Sequence, residues 1–169
     1  MNKILLAMLL ALVAGCNAPE QPQRDGTIVA LDKNAYEGRW VVVNYWAKWC
    51  KPCIKEIPEL NALDSKYKQV AVLGVNYDGA SGDELQTQIT TLGIDFPILL
   101  QDPSASLGLA LPSVLPTTLI LNPDGQLVAT LVGPQSLESL ALATGQMGMP
   151  DAGPSSEELL ERGSPDRSP

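Results

Sequence analysis

Histidine is missing from all 169 residues of this chain. Its absence excludes imidazole acid–base catalysis, histidine-activated nucleophiles and histidine-ligated metals. Aromatic residues make up only 5%, with a single phenylalanine, and charged residues 18%, too few for a disordered chain. Positive charge is the scarcer sign: 11 Lys and Arg face 19 Asp and Glu, for a net charge of −8. Setting aside residues 1–15, which carry one lysine and no acid, makes it −9. An acidic chain has no electrostatic reason to bind nucleic acid. No apolar run approaches the ~20 residues that cross a bilayer; the longest, Ile4 to Ala14, has eleven. Internal repeats are lacking too. What is present is a hydrophobic content of 45%, enough for one core, so the length predicts one domain with appendages.

The run Ile4 to Ala14 follows Met1-Asn2-Lys3, a short positive start. Its length suits the core of a signal peptide, about 7–15 residues. It ends in Leu12-Val13-Ala14-Gly15-Cys16, which resembles the bacterial lipoprotein signal. The resemblance implies a mature protein that starts at a lipidated Cys16. Its acyl chains, palmitate among them, would hold it to a membrane, facing the periplasm. Several chains anchor firmly where one binds only marginally. An ordinary signal peptide is the alternative. Asn17 weakly resembles the residue that directs outer-membrane sorting in some bacteria. The chain thus divides into a signal peptide over 1–15, a lipid-anchored linker over 16–25, a folded domain over 26–147 and a disordered tail over 148–169.

Within the domain, the pattern predicts strands over Thr27–Leu31, Trp40–Ala47 and Val70–Tyr77. The last is a continuous apolar run, as in a strand covered on both faces. A helix follows Cys53, with Ile54, Ile57 and Leu60 at spacings of three and then Leu63 and Tyr67. A second helix spans Asp83–Leu92, capped by its first acid and striped by Leu85, Ile89 and Leu92. Phe96–Leu100 reads as a short strand or extended segment, and Asp102-Pro103 opens a helical turn through Leu109. Strands over Val114–Leu121 and Gln126–Val132 flank the turn Asn122-Pro123-Asp124-Gly125, and a helix over Ser136–Thr144 closes the domain. Early β-α-β alternation followed by a hairpin and helix predicts an α/β fold, a mixed central sheet flanked by helices.

The chemistry concentrates at Cys50-Lys51-Pro52-Cys53, between strand and helix. A structural disulfide there closes too small a loop to be a useful staple. A metal site would have two thiolates, no histidine and an incomplete tetrahedron. Redox chemistry is the reading with physical motive, because a helix N-terminus favours a thiolate at its first cysteine. Cys50 should then be the more exposed sulfur and the attacking one, and Cys53, one turn deeper, the resolving one. Pro52 suits a first helical turn. Lys51 and Lys48 either tune the thiolate or are solvated surface charges.

Trp49-Cys50-Lys51-Pro52-Cys53 matches the W-C-x-P-C motif of the thioredoxin superfamily. Val43-Asn44-Tyr45-Trp46-Ala47 and Glu56-Ile57-Pro58-Glu59-Leu60 are similar to the membrane-anchored TlpA/ResA-type reductases of the bacterial cell envelope. The resemblance covers Thr27 to Thr144 and implies a thioredoxin fold with thiol–disulfide exchange, in the direction of net reduction. It implies that Leu115-Pro116-Thr117 is a cis-proline segment facing the cysteines and pairing with substrate, alongside Trp49, Lys51 and Pro52. It also implies that Glu56, one turn from Cys53, takes or supplies its proton. No cofactor beyond a redox-active Cys50–Cys53 disulfide is expected, and no metal. The implied partners are disulfide-containing envelope proteins, apocytochrome c among the candidates, a membrane-embedded thiol donor and the membrane itself. Three rivals stand beside this reading. One is an oxidase or isomerase of the same fold. Another is a thiol peroxidase, whose Thr or Ser three residues before the reactive cysteine is replaced here by Ala47. The third is a metallochaperone or inert adaptor.

Overall fold

The computed structural model describes residues 28–29 and 33–147. The signal segment, Cys16, the linker and the tail lie outside them. Six strands form one sheet: β1 (Ile28–Val29), β2 (Trp40–Trp46), β3 (Val70–Asn76), β4 (Ile98–Leu99), β5 (Thr117–Leu121) and β6 (Leu127–Val132). Their order across the sheet is β1-β4-β3-β2-β5-β6. The four strands from β1 to β2 run parallel, and β5 and β6 are antiparallel to their neighbours. The helices are α1 (Lys51–Lys66), α2 (Gly82–Leu92) and α3 (Leu137–Ala143).

All three helices turn their apolar sides to one face of the sheet. Ile57, Leu60 and Leu63 of α1, Leu85 and Ile89 of α2 and Leu140 and Ala141 of α3 join Val42, Trp46, Val72 and Ile120 in one cluster. Full burial of each large aliphatic side chain contributes about 1.5–3 kcal/mol. The alternating residues Val41, Val43, Tyr45, Ala71, Leu73, Val75, Leu119 and Leu121 point to the other face. There they meet Tyr36, from a 3-10 turn at Lys33–Tyr36, and Leu107, Leu109 and Leu115 from the β4–β5 connection. Strands buried on both faces are why β3 reads as a continuous apolar run and β2 as one interrupted only by Asn44.

The segment at 96–100, read as a short strand or an extended segment, is a short strand, β4, which pairs with both β1 and β3. Three expectations need correction. Strand β5 begins at Thr117 rather than Val114, since Pro116 has no amide to give the ladder. The N-cap position of α2 is Ser81, whose side chain makes no capping bond, and Asp83 sits inside the first turn with Glu84, where acids favour the helix dipole. The buried stripe of α1 is Cys53, Glu56, Ile57, Leu60, Leu63 and Asp64, with Ile54 only half-buried. Spacings of three drift off one face; the mixed three and four spacing keeps to it. At the far end of the sheet, Asn122 Oδ1 accepts from the amides of Asp124 and Gln126 at 3.1 and 2.9 Å, and Gly125 takes φ 75°. That closes the β5–β6 hairpin.

Candidate active site

Strand β2 ends at Trp46, and a four-residue turn delivers Cys50 to the N-cap of α1. Cys50 and Cys53 are joined by a disulfide, with Cα atoms 5.3 Å apart. The Cys50 sulfur accepts the Cys53 amide at 3.2 Å, so it occupies the position of a capping oxygen. After reduction, the same amide and helix end favour a thiolate on Cys50. Pro52 falls in the first turn, where its missing N–H costs nothing. The cysteines are 4% and 2% exposed. Cys50 is thus the more open of the two only by a small margin, because the turn folds both into the main core cluster.

The surrounding loops are tethered to this turn. Trp49 stands 61% exposed, and its Nε1 donates to both carboxylate oxygens of Asp78, at 3.1 and 3.0 Å. Lys48 pairs with Glu84 of α2 at 2.9 Å, which holds the lysine pKa up and the glutamate pKa down. An exposed pair of this kind is screened by solvent and adds little to stability. Lys51 and Pro52 are exposed beside the disulfide.

The Leu115–Pro116 peptide is cis. The register sets Thr117 opposite Tyr45 and, on its other side, Val132. Pro116 therefore enters the sheet at the edge from which β2 leaves for Cys50. The Pro116 carbonyl accepts the Gly133 amide at 2.9 Å, and Thr117 Oγ1 donates to the Val114 carbonyl at 2.8 Å. The loop ahead of this segment is held by the Tyr45 hydroxyl, which donates to Asp102 Oδ1 at 2.6 Å. Burial pushes the Tyr45 phenol up, and its bond to Asp102 adds to this. Burial also opposes the charge on Asp102, but the Tyr45 and Ser104 bonds outweigh it and keep that carboxyl low.

Glu56 is 1% exposed. Its Oε1 accepts Asn44 Nδ2 at 3.0 Å and the Thr118 hydroxyl at 3.3 Å, while Oε2 is buried without a hydrogen bond. Burial raises its pKa to about 7, against smaller opposing pulls from the Gln135 backbone and Thr118. A side chain in a helix leans toward its N-terminus, so Glu56 lies over the turn that carries Cys53. The raised value also bears on stability. The folded chain holds this proton more tightly than the unfolded chain does, so the neutral carboxyl contributes its stability in full below about pH 4.5. That contribution is lost as pH rises through about 7. Glu56→Gln removes the charge, and the oxidised variant should outlast wild type in urea at pH 8 by roughly 2 kcal/mol. At pH 4 the two should match; paired unfolding curves check this.

Sequence reasoning missed Asn44, Thr118, Tyr45, Asp78 and Asp102 as members of this region. A signal existed for Asn44, an amide inside the β-forming run Val41–Trp46. Partners that are distant in sequence, such as Asp78 for Trp49, left none. Among the described residues, no cluster of three or more Cys, Asp or Glu could hold a metal.

The AhpC/TSA family matches residues 14–130. The thiol-disulfide oxidoreductase ResA of Bacillus thuringiensis is 32% identical over 105 residues, 62% of this chain and 61% of that protein. The match to these first curated relatives thus spans less than two thirds of their length. ResA of Geobacillus kaustophilus is 31% identical over 132 residues, covering 77% of this chain and 75% of its own. Among solved structures, a secreted thiol-disulfide isomerase from Corynebacterium glutamicum is 28% identical, with a TM-score of 0.59 over 68% of this chain and 73% of that one. Fold, cysteine turn and these matches agree: the chain belongs to the AhpC/TSA family, on the ResA-like branch of the thioredoxin superfamily.

Proposed function

We propose that this protein is a thiol–disulfide oxidoreductase that reduces disulfides in partner proteins through Cys50 and Cys53. The observation that carries the reading is the Cys50–Cys53 disulfide at the N-terminus of α1, with its first sulfur in the capping position. In the reduced protein, the Cys50 thiolate attacks a substrate disulfide, joins one sulfur and expels the other as a thiolate. Cys53 gives its proton to Glu56, attacks Cys50 and releases the second substrate thiolate. Two electrons have passed to the substrate, and the Cys50–Cys53 disulfide is restored. That disulfide is the redox group, and no separate cofactor is invoked.

With the Pro116 carbonyl already bonded to Gly133, Leu115 is the residue of that segment placed for a substrate backbone. Trp49, Lys51, Pro52 and Thr117 complete the proposed contact surface. Glu56→Gln should slow exchange roughly tenfold at pH 7 and flatten the inflection near that pH. An unchanged rate–pH profile for oxidation of the reduced protein by glutathione disulfide would remove Glu56 from the mechanism.

A C-x-x-C does not fix direction, since such pairs span about −270 to −120 mV. The similarity to a thiol-disulfide isomerase supports an oxidising or isomerising role as the second reading. The equilibrium potential of the pair against glutathione decides between them. A peroxidase role is disfavoured by Ala47, which puts a methyl group where a hydroxyl is needed.

The Leu12–Cys16 pattern supports a lipid anchor at Cys16, with the domain facing the periplasm. Disulfide-containing envelope proteins, apocytochrome c among them, are the proposed substrates, and a membrane-embedded thiol donor the source of electrons. Cys16→Ser should move the protein from the membrane to the soluble fraction on cell fractionation; retention in the membrane would refute the anchor.

A further inference from the structure

The polar contacts of Glu56 are unevenly shared between its two oxygens. Asn44 has two amide hydrogens; Nδ2 donates one to Glu56 Oε1 at 3.0 Å and one to Thr118 Oγ1 at 2.9 Å. That leaves the Thr118 hydroxyl hydrogen for Glu56 Oε1, at 3.3 Å. Two donors therefore converge on Oε1 and none reaches hydrogen-bonding geometry at Oε2, although both oxygens are buried; the one further donor acting on the carboxyl is the Gln135 backbone amide, a weaker contact that holds its pKa down. An oxygen that already accepts two hydrogen bonds has no free lone pair for a proton. The other oxygen keeps at least one.

We propose that Asn44 and Thr118 are positioning residues that hold Glu56 Oε1 as a permanent acceptor and assign proton transfer to Oε2. The inference rests on the proposed role of Glu56 in exchange with Cys53. It adds which oxygen works and what selects it. In the resolving step the S–H bond of Cys53 breaks, an O–H bond forms at Oε2, and the sulfur keeps the electron pair with which it attacks Cys50.

Two strands fix this geometry. Asn44 and Thr118 are paired across β2 and β5, both on the face that receives α1. The pair thus reaches the carboxyl from the sheet side, opposite the helix backbone. The titratable groups that accompany Glu56 are Cys53 and Glu59 on its own helix, and Glu59 Oε2 accepts the Leu137 amide at 2.9 Å. Strands β2 and β5 and the β6–α3 loop present uncharged groups: Asn44, Thr118 and the Gln135 backbone.

A purely structural role is the competing account, since buried polar groups are ordinarily bonded. The infrared carbonyl band of the protonated carboxyl separates the two. With Oε1 as the carbonyl oxygen, its band should lie low, as expected of a doubly hydrogen-bonded acid. The band is assigned by its loss in Glu56→Gln. Thr118→Val should shift it upward, Asn44→Ala should do so more strongly, and Thr118→Ser, which restores the hydroxyl, should return it. Donors to the charged form also hold the pKa down, so Thr118→Val should move the inflection of the exchange rate upward by about one pH unit, the size of one charge-assisted bond. Folding of each variant is checked by its thermal transition, and the Ser variant keeps the test open if Asn44→Ala does not fold. A Glu56 band and inflection unmoved in Thr118→Val would overturn the positioning role while leaving Glu56 in place. An inflection unmoved in Glu56→Gln itself would instead overturn the reading on which it rests.

Discussion

Cys50→Ser is expected to lose insulin-reducing activity by about 10³-fold or more, to the level of buffer. Serine keeps the shape and the capping bond but is not ionised at neutral pH, so the attacking anion disappears. Stability should change far less. A cross-link over so few residues restricts the unfolded chain by about 2 kcal/mol at most, and the reduced wild type already lacks it. Comparing Cys50→Ser with reduced wild type therefore isolates chemistry from folding. Cys53→Ser should behave differently: it attacks normally, cannot resolve, and accumulates mixed disulfides on Cys50. Those adducts, separated under non-reducing conditions and identified by mass, name the substrates. Activity in Cys50→Ser equal to wild type would defeat the enzymatic reading and leave a binding role.

The contrast between these variants reflects how legible the site is in sequence. Cys50, Pro52 and Cys53 are neighbours along the chain, so one turn of helix fixes their roles before any tertiary contact forms. The β-α-β units were legible for the same reason: their apolar periodicities are local. Pro116 and Glu56 became site candidates only through a motif, because their proximity to the cysteines depends on the register of β5 against β2. The strand β4 was ambiguous because two residues carry no periodicity. The bonds of Trp49 to Asp78 and of Tyr45 to Asp102 link residues 29 and 57 positions apart, and nothing in either stretch marks its partner. Burial decides the rest. A glutamate three residues after Cys53 reads as a solvated charge until the sheet covers it, and coverage is what raises its pKa to about 7.

The same sheet face supplies the second large effect. Gly74 sits in the middle of β3, between Asn44 of β2 and Ile98 of β4, and its backbone conformation suits any residue. Space is what demands glycine. A Cβ there would lie 2.4 Å from Ile98 Cδ1, 2.9 Å from Phe96 Cε2 and 3.0 Å from Trp46 Nε1. None of these can easily retreat: Trp46, Phe96 and Ile98 are all fully buried, and the Gly74 amide is bonded to the Pro97 carbonyl at 2.8 Å. Gly74→Ala should therefore destabilise the domain by about 3 kcal/mol, the upper end for one added methyl in a packed core. That corresponds to a fall in melting temperature on the order of 10 °C. The clash also predicts its own remedy. Ile98→Val removes Cδ1, the nearest obstacle, at a cost of about 1 kcal/mol when made alone. In the double variant the two losses should not add; part of the alanine penalty should vanish, giving a coupling of about 1 kcal/mol or more. Urea unfolding of the four proteins measures it. Strict additivity would mean that the strand, rather than the isoleucine, yields to the new methyl. In that case Trp46, four residues before Cys50, would be displaced, and exchange activity would fall with stability.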